Sequence, residues 1–208
     1  MSLLNSDLIT YVSEMRILPD TQVATQKNVQ TRDLISFLAA IKCWSTWHKK
    51  PVYAIKRDQM KSFDYLSLEG MYDAVRAYSL PLSIIDLDCA AQTDTKCFIC
   101  TAHGVTEPII ITGVTKQGGP LSPLKSTLTT SLSHHYLRDL QCLDPHVLVI
   151  SSESGMANDP HHPIDNVTVP ITMVEATDDS YIFSTLLNSL QSNILAMERF
   201  QYAYGWLT

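Results

Sequence analysis

Asp178 and Asp179 stand side by side in the stretch ITMVEATDDSYIFSTL, within a run that otherwise alternates as a sheet strand does. Neighbouring carboxylates repel and are costly to bury, so a strand carrying two of them needs a turn, open water or a cation at that point. Aspartate is favoured in turns, and Thr177, Asp178 and Asp179 could simply reverse a hairpin. A second reading gives the pair to a divalent ion. Mg²⁺ prefers hard oxygen ligands, takes one or two protein carboxylates and fills its shell with water and substrate phosphate. Such a site calls for a further acid from elsewhere in the chain. Asp58, at the C-terminal end of the strand-like PVYAIKRD, is the candidate, although taken alone it reads first as a strand-end turn residue.

Both acids must be carried by elements that bring distant parts of the chain together. Leu4, Leu8, Val12 and Met15 are spaced for a short amphipathic helix, which Pro19 closes. A clearer helix starts near Thr31 as N-cap, with Leu34, Phe37, Leu38, Ile41, Trp44 and Trp47 on one broad face. PVYAIKRD follows as a buried strand. LEGMYDAVRAYS is helical from Ser67, with Leu68, Met71, Tyr72 and Val75 as its stripe, and PLSIIDLDCAA continues as a helix with Pro81 in its first turn. KCFICTAHG and EPIIITGV read as two strands about a turn containing Gly104, and PLSPLKSTLTTSLSHHYLRDLQ reads as a helix. HVLVIS is a strand, and VTVPITMVEATDDSYIF reads as two strands about a tight turn. The closing segment is a long helix with Leu186, Leu187, Leu190, Ile194, Leu195 and Met197 facing inward. Helices interleaved with strands, ending in a hairpin backed by helices, predict an α+β layer architecture.

The chain of 208 residues has length for a substantial core, and 45% of its residues are hydrophobic. No apolar run is long enough for a membrane span, and MSLLNSDLITYVSEMR lacks the basic start and apolar stretch of a signal peptide. The five cysteines are therefore expected as reduced thiols and the protein as intracellular, in nucleus or cytoplasm. The formal net charge is −6, with Lys49, Lys50, Lys56, Arg57 and Lys61 as the one local concentration of bases. That balance argues against strong autonomous binding to nucleic acid, where phosphate neutralisation supplies most of the affinity.

The three acids acquire company in order along the chain. DQMKSFDYL, residues 58–66, resembles the catalytic-aspartate motif of reverse transcriptases, D-x-x-K-A-F-D in non-LTR retrotransposon enzymes. GVTKQGGPLSPL, residues 113–124, resembles the next motif, G-V-x-Q-G-x-P-L-S-P. EATDDSYIF, residues 175–183, resembles the motif carrying the Y-x-D-D box, and FQYAYGWLT the helix exit after it. TQVATQKNVQTRDLISFL is similar to a fingers segment of that family. Ser62 stands where alanine is usual, Ala176 replaces the tyrosine of Y-x-D-D, and Gly119 stands where aspartate is frequent. The resemblance implies a polymerase palm-like antiparallel sheet backed by helices. It divides the chain into a partial fingers segment over residues 1–50 and a palm over 51–208. The family's thumb and earliest basic fingers strands find no counterpart in this sequence, so the palm is expected to be truncated after the aspartate pair.

The same resemblance implies the chemistry. An RNA-directed DNA polymerase extends a primer 3′-hydroxyl with deoxynucleoside triphosphates by two-metal phosphoryl transfer. Asp58, Asp178 and Asp179 would be the Mg²⁺ (or Mn²⁺) ligands, with Asp58 and Asp178 bridging the ions and Asp179 adjacent. Phe63 stands where the family places an aromatic that crowds a ribose 2′-oxygen, and is otherwise a core phenylalanine. Gln117 and Gly118 would lie near the nucleotide, or form an ordinary turn before a helix. The expected partners are an RNA template, a DNA primer and deoxynucleotides. Lacking a clamp on the duplex, the chain is expected to polymerise weakly or not at all by itself. The alternative is an inactive remnant that serves as a binding module or has no function. Cys97, Cys100 and His103 do not make a zinc site, since residues three apart on a strand face opposite ways and no second ligand pair is apparent. His134, His135, His161 and His162 read as solvated.

Overall fold

Periodicity turns into six helices and nine strands among the described residues. The computed structural model describes residues 2–26, 28–58, 66–93, 96–110, 119, 121–141, 144–151, 168–176 and 179–205. In chain order the elements are α1 (Ser2–Glu14), α2 (Thr31–His48), β1 (Tyr53–Asp58), α3 (Leu68–Ala77) and α4 (Leu82–Gln92). Four short strands follow: β2 (Lys96–Cys97), β3 (Cys100–Thr101), β4 (Gly104–Val105) and β5 (Ile109–Ile110). Then come α5 (Ser122–Gln141), β6 (Leu148–Ser151), β7 (Thr168–Ile171), β8 (Met173–Ala176), β9 (Asp179–Ser184) and α6 (Leu187–Ala203).

Helix ends follow local chemistry. The Asp33 carboxylate accepts the Gln30 backbone N–H at 2.7 Å, which moves the N-cap of α2 one residue ahead of the expected Thr31. Lys49 closes that helix in the left-handed region, at φ 51°, two residues before Pro51. Ser67 caps α3, its Oγ accepting the Gly70 N–H at 3.3 Å. α1 ends at Glu14, and Arg16 turns left-handed at φ 50°, so Met15 falls beyond the helix and is exposed rather than inward.

The central sheet has the order β1-β9-β8, antiparallel throughout. Its outer edge at β8 is extended by residues 21–23: Val23 N–H donates to the Glu175 carbonyl at 2.8 Å, and Glu175 N–H to that of Thr21 at 2.9 Å. The strand pair expected in KCFICTAHG and EPIIITGV appears as two separate ribbons, β2 with β5 and β3 with β4, the latter around Gly104 at φ 131°. β6 and β7 pair antiparallel as a further two-stranded sheet. One face of the central sheet packs Ile55, Met173 and Ile182 against Leu137 of α5 and Leu190, Ile194 and Met197 of α6. On the other face, Val174 and Phe183 meet Leu34, Phe37 and Ile41 of α2. A third cluster joins Leu8 and Val12 of α1 to Met71, Tyr72 and Val75 of α3, Ile85 of α4 and Leu124 and Leu128 of α5.

Three expectations are corrected. Trp47 is 76% exposed, because each three-residue step on a helix turns back by about 60° and the sixth position has rotated off the buried stripe. β1 is largely exposed, with Arg57 its one buried residue, because it lies at an edge of the sheet. On α6, Leu190 and Met197 are buried, whereas Leu187 and Leu195 are exposed and Leu186 precedes the helix, also exposed. Only one stripe of α6 can face a single sheet layer.

α5 is the helix at the centre despite its hydroxyl-rich sequence. Thr129, Thr130, Ser131 and Ser133 are buried, and each hydroxyl donates to a backbone carbonyl three or four residues earlier in the helix. Those bonds satisfy the side chains within their own element, so they can be buried without external partners.

Candidate active site

Strand register decides which acids meet. In the β1–β9 ladder the Cα partners run from Tyr53 and Ser184 to Asp58 and Asp179. Asp58, from the first third of the chain, is thus set directly opposite Asp179. Directly opposed residues on one face have Cβ atoms about 4.5–5.5 Å apart. On its other side Asp179 is paired with Ala176 of β8. α2 covers this face of the sheet around Val174 and Phe183, while Asp58 is exposed and the Asp179 side chain keeps 42% of its surface. The two acids therefore lie at an exposed end of the face that α2 covers farther along β8 and β9. Asp179, expected within a turn, is the first residue of a strand. Asp178, Phe63, Gln117 and Gly118, also expected in the site, lie outside the described residues.

Opposed like charges destabilise a ladder, and a cation answers them here. Lys56 precedes Asp58 by two residues and so shares its face. Its Nζ lies 2.8 Å from Asp179 Oδ1, with about half of the Lys56 side chain exposed. The Lys56 ammonium is held above its ordinary pKa of 10.5, chiefly by the hydrogen bond to Asp179 and then by that carboxylate's charge.

The opposite face of the same three strands carries a second polar row, buried this time. Arg57, Ser180 and Glu175 are register neighbours across β1, β9 and β8, and all three are buried. Arg57 Nη2 donates to Gln201 Oε1 of α6. Burial lowers the Arg57 pKa, partly offset by the charges of Glu198 and Glu175. Glu175 Oε1 accepts from Gln22 Nε2 at 2.8 Å, and Gln22 Nε2 also reaches Thr130 Oγ1 at 3.2 Å. His134 Nε2 stands 3.5 Å from Glu175 Oε2, and its Nδ1 is 2.8 Å from Thr21 Oγ1. His134 is thus buried, not solvated as expected from the sequence. This row pins the strands bearing Asp58 and Asp179 to α5, α6 and residues 21–22. Sequence reasoning missed it, although inward-facing polar parity at Arg57, Glu175 and Ser180 is visible once the strands are aligned.

The donor set suits a hard cation. Two carboxylates share an exposed face, the number that Mg²⁺ takes from a protein before water fills its shell, and an ammonium lies against one of them. Among the described residues no group of three or more His, Cys, Asp or Glu forms a metal site. A cavity of about 1120 Å³ opens elsewhere, between α1, α5 and the β6–β7 pair. It is lined by Val12, Arg16, His135, Arg138 and Val149, and by neither Asp58 nor Asp179. No described helix is long and apolar enough to cross a membrane.

No family model and no curated protein sequence matches the chain. Solved structures do resemble it. Telomerase from Candida albicans, in complex with the TWJ fragment of telomeric RNA, aligns with a TM-score of 0.64 at 14% identity, over 98% of this chain and 32% of that one. Candida tropicalis telomerase with the same kind of RNA fragment gives 0.64 at 12% identity, over 98% and 32%. The apo enzyme of that species, truncated from the C-terminal domain, gives 0.60 at 12% identity, over 98% and 37%. The chain spans about a third of the length of these telomerases. These likenesses are to telomerases, of a reverse transcriptase family, and give no support to a retrotransposon origin in particular. They show the fold: a mixed helix-and-sheet architecture of the reverse-transcriptase, polymerase-like kind.

Proposed function

We propose that the chain is the palm of an RNA-directed DNA polymerase, residues 51–208, preceded by part of its fingers in residues 1–50. The observation carrying this is the Asp58–Asp179 register pair at the open end of a polymerase-like sheet. Asp58 and Asp179, with Asp178, would hold Mg²⁺ or Mn²⁺. When bound, such ions stabilise the attacking and leaving oxygens of a phosphoryl transfer. The chain's own contribution is positional. The β1–β9 ladder fixes the carboxylates, and the buried row of Arg57, Ser180 and Glu175 resists any slip of register, which would turn every side chain to the other face. Catalysis of this kind rests on positioning and charge neutralisation more than on covalent side-chain chemistry. Phe63 would discriminate against a ribose 2′-hydroxyl, and Gln117 and Gly118 would border the nucleotide.

RNA template, DNA primer and deoxynucleotides are the partners in this reading. The RNA fragments solved with the Candida telomerases support binding to nucleic acid. An origin in a non-LTR retrotransposon rests on the order of the sequence motifs alone. The rival reading, an inactive remnant retained as a binding module, draws on the Lys56–Asp179 ion pair, which already neutralises one acid. Extension of a DNA primer on an RNA template with Mg²⁺ separates the two. Low but measurable incorporation, lost in Asp58→Asn, supports the polymerase. Absent incorporation, together with Mn²⁺ binding that neither Asp58→Asn nor Asp178→Asn alters, supports the remnant.

A further inference from the structure

Lys56 sits where a bound cation would have to compete with it. It shares a strand face with Asp58, its register partner is Tyr181, and it reaches diagonally across the ladder to Asp179 Oδ1 at 2.8 Å. That oxygen is one of those the polymerase reading assigns to a divalent ion. An ammonium donates but cannot accept, so the lone pair it occupies is closed to a metal. Its side chain is 52% exposed, which leaves it free to swing into water when displaced. Exposed ion pairs of this sort contribute little to folding, so its consequence is to be sought in the affinity of the acids for other cations.

We infer that Lys56 is a resident counterion of the acid pair, which holds Asp58 and Asp179 together without metal and lowers their affinity for divalent ions. This rests on the proposal that the pair binds a divalent cation. Repulsion between an ammonium and a nearby dication, mostly through water and screened by salt, is worth roughly tenfold in affinity. A charge-removing substitution should therefore strengthen metal binding, the reverse of what loss of a ligand does.

Mn²⁺ alone is the probe. Its binding to the full chain is titrated by the paramagnetic resonance of free Mn²⁺, for wild type, Lys56→Gln, Lys56→Arg, Asp58→Asn and the double variant Lys56→Gln/Asp58→Asn. Circular dichroism monitors the fold of each, and the exposure of Lys56 makes unfolding by its substitution unexpected. Lys56→Gln should bind roughly tenfold more tightly, Lys56→Arg should stay close to wild type, and both variants lacking Asp58 should lose the site. Unchanged or weaker binding in Lys56→Gln, alongside loss in Asp58→Asn, overturns the counterion role and leaves the metal reading intact. Tighter binding that survives Asp58→Asn also overturns it, because the ion then lies elsewhere. No Mn²⁺ binding in any of the five chains removes both proposals together.

Discussion

Lys125→Met tests the packing that fixes α5 among its neighbouring helices. Lys125 Nζ reaches Asp88 Oδ1 at 3.1 Å and Oδ2 at 2.9 Å, tying the first turn of α5 to α4. Tyr72 of α3 donates its hydroxyl to Asp88 Oδ2 at 2.9 Å, and Gln92 Nε2 donates to the same oxygen at 2.9 Å. Burial, then the bond to Asp88, pushes the Tyr72 phenol well above its usual pKa of 10.0, so it remains a donor. The ion-paired side chains are only 11% and 9% exposed. Methionine keeps the length of the lysine stem but strands a buried carboxylate with two neutral donors. Breaking a buried pair from one side costs about 3–5 kcal/mol, and the residual exposure together with the surviving donors places this case near 3 kcal/mol. With a urea slope of about 2 kcal/mol/M, the unfolding midpoint should fall by about 1.5 M. Lys125→Met/Asp88→Asn removes the stranded charge and keeps an acceptor for Tyr72, so at least half of the loss should return. A midpoint shift below about 0.5 M for the single variant, or no recovery in the double, would refute this account of the three-helix clamp.

Phe183, buried against the ring of Phe37 at 6.4 Å between centroids and 79° between planes, should cost about 3–5 kcal/mol as Phe183→Ala, read by urea denaturation. His135 has its pKa lowered below 6.5 by burial, then by the charges of Arg138 and His134, with Asp139 opposing. The native state then binds fewer protons than the unfolded chain as pH falls through 6.5, so stability is lost toward the lowered value and regained as pH rises. Melting profiles over about pH 5–7 should be flatter in His135→Gln than in wild type, and parallel profiles would contradict the assignment. Phe63→Val should narrow the preference for deoxy- over ribonucleoside triphosphate by about tenfold or more in competition binding, if its ring crowds the 2′-oxygen.

The acids at positions 58 and 179 could be singled out from the sequence because the motifs around them are short and ordered. Their mutual placement could not, since a one-residue slip of register would put them on opposite faces. Helix positions followed from apolar spacing, as in α3, where Met71, Tyr72 and Val75 are buried as the stripe requires. Trp47 and Leu195 broke the pattern because spacing identifies a stripe but not how wide a surface the partner offers. His134 shows the larger gap. In LTTSLSHHYL nothing marks one histidine as buried, because its burial depends on Thr21 and Glu175, which are distant in sequence. The cation beside Asp179 was likewise visible only as one lysine in a basic cluster. Its meaning comes from the diagonal of an antiparallel ladder.

The most direct test of the acid pair as one cation site is Mn²⁺-induced line broadening in the amide spectrum of the isotope-labelled chain. Resonances of Arg57, Asp58, Asp179 and Ser180 should fade first and together at low Mn²⁺, and Asp58→Asn should restore them. Broadening that begins on other elements, or that persists on β9 without Asp58, would contradict the account.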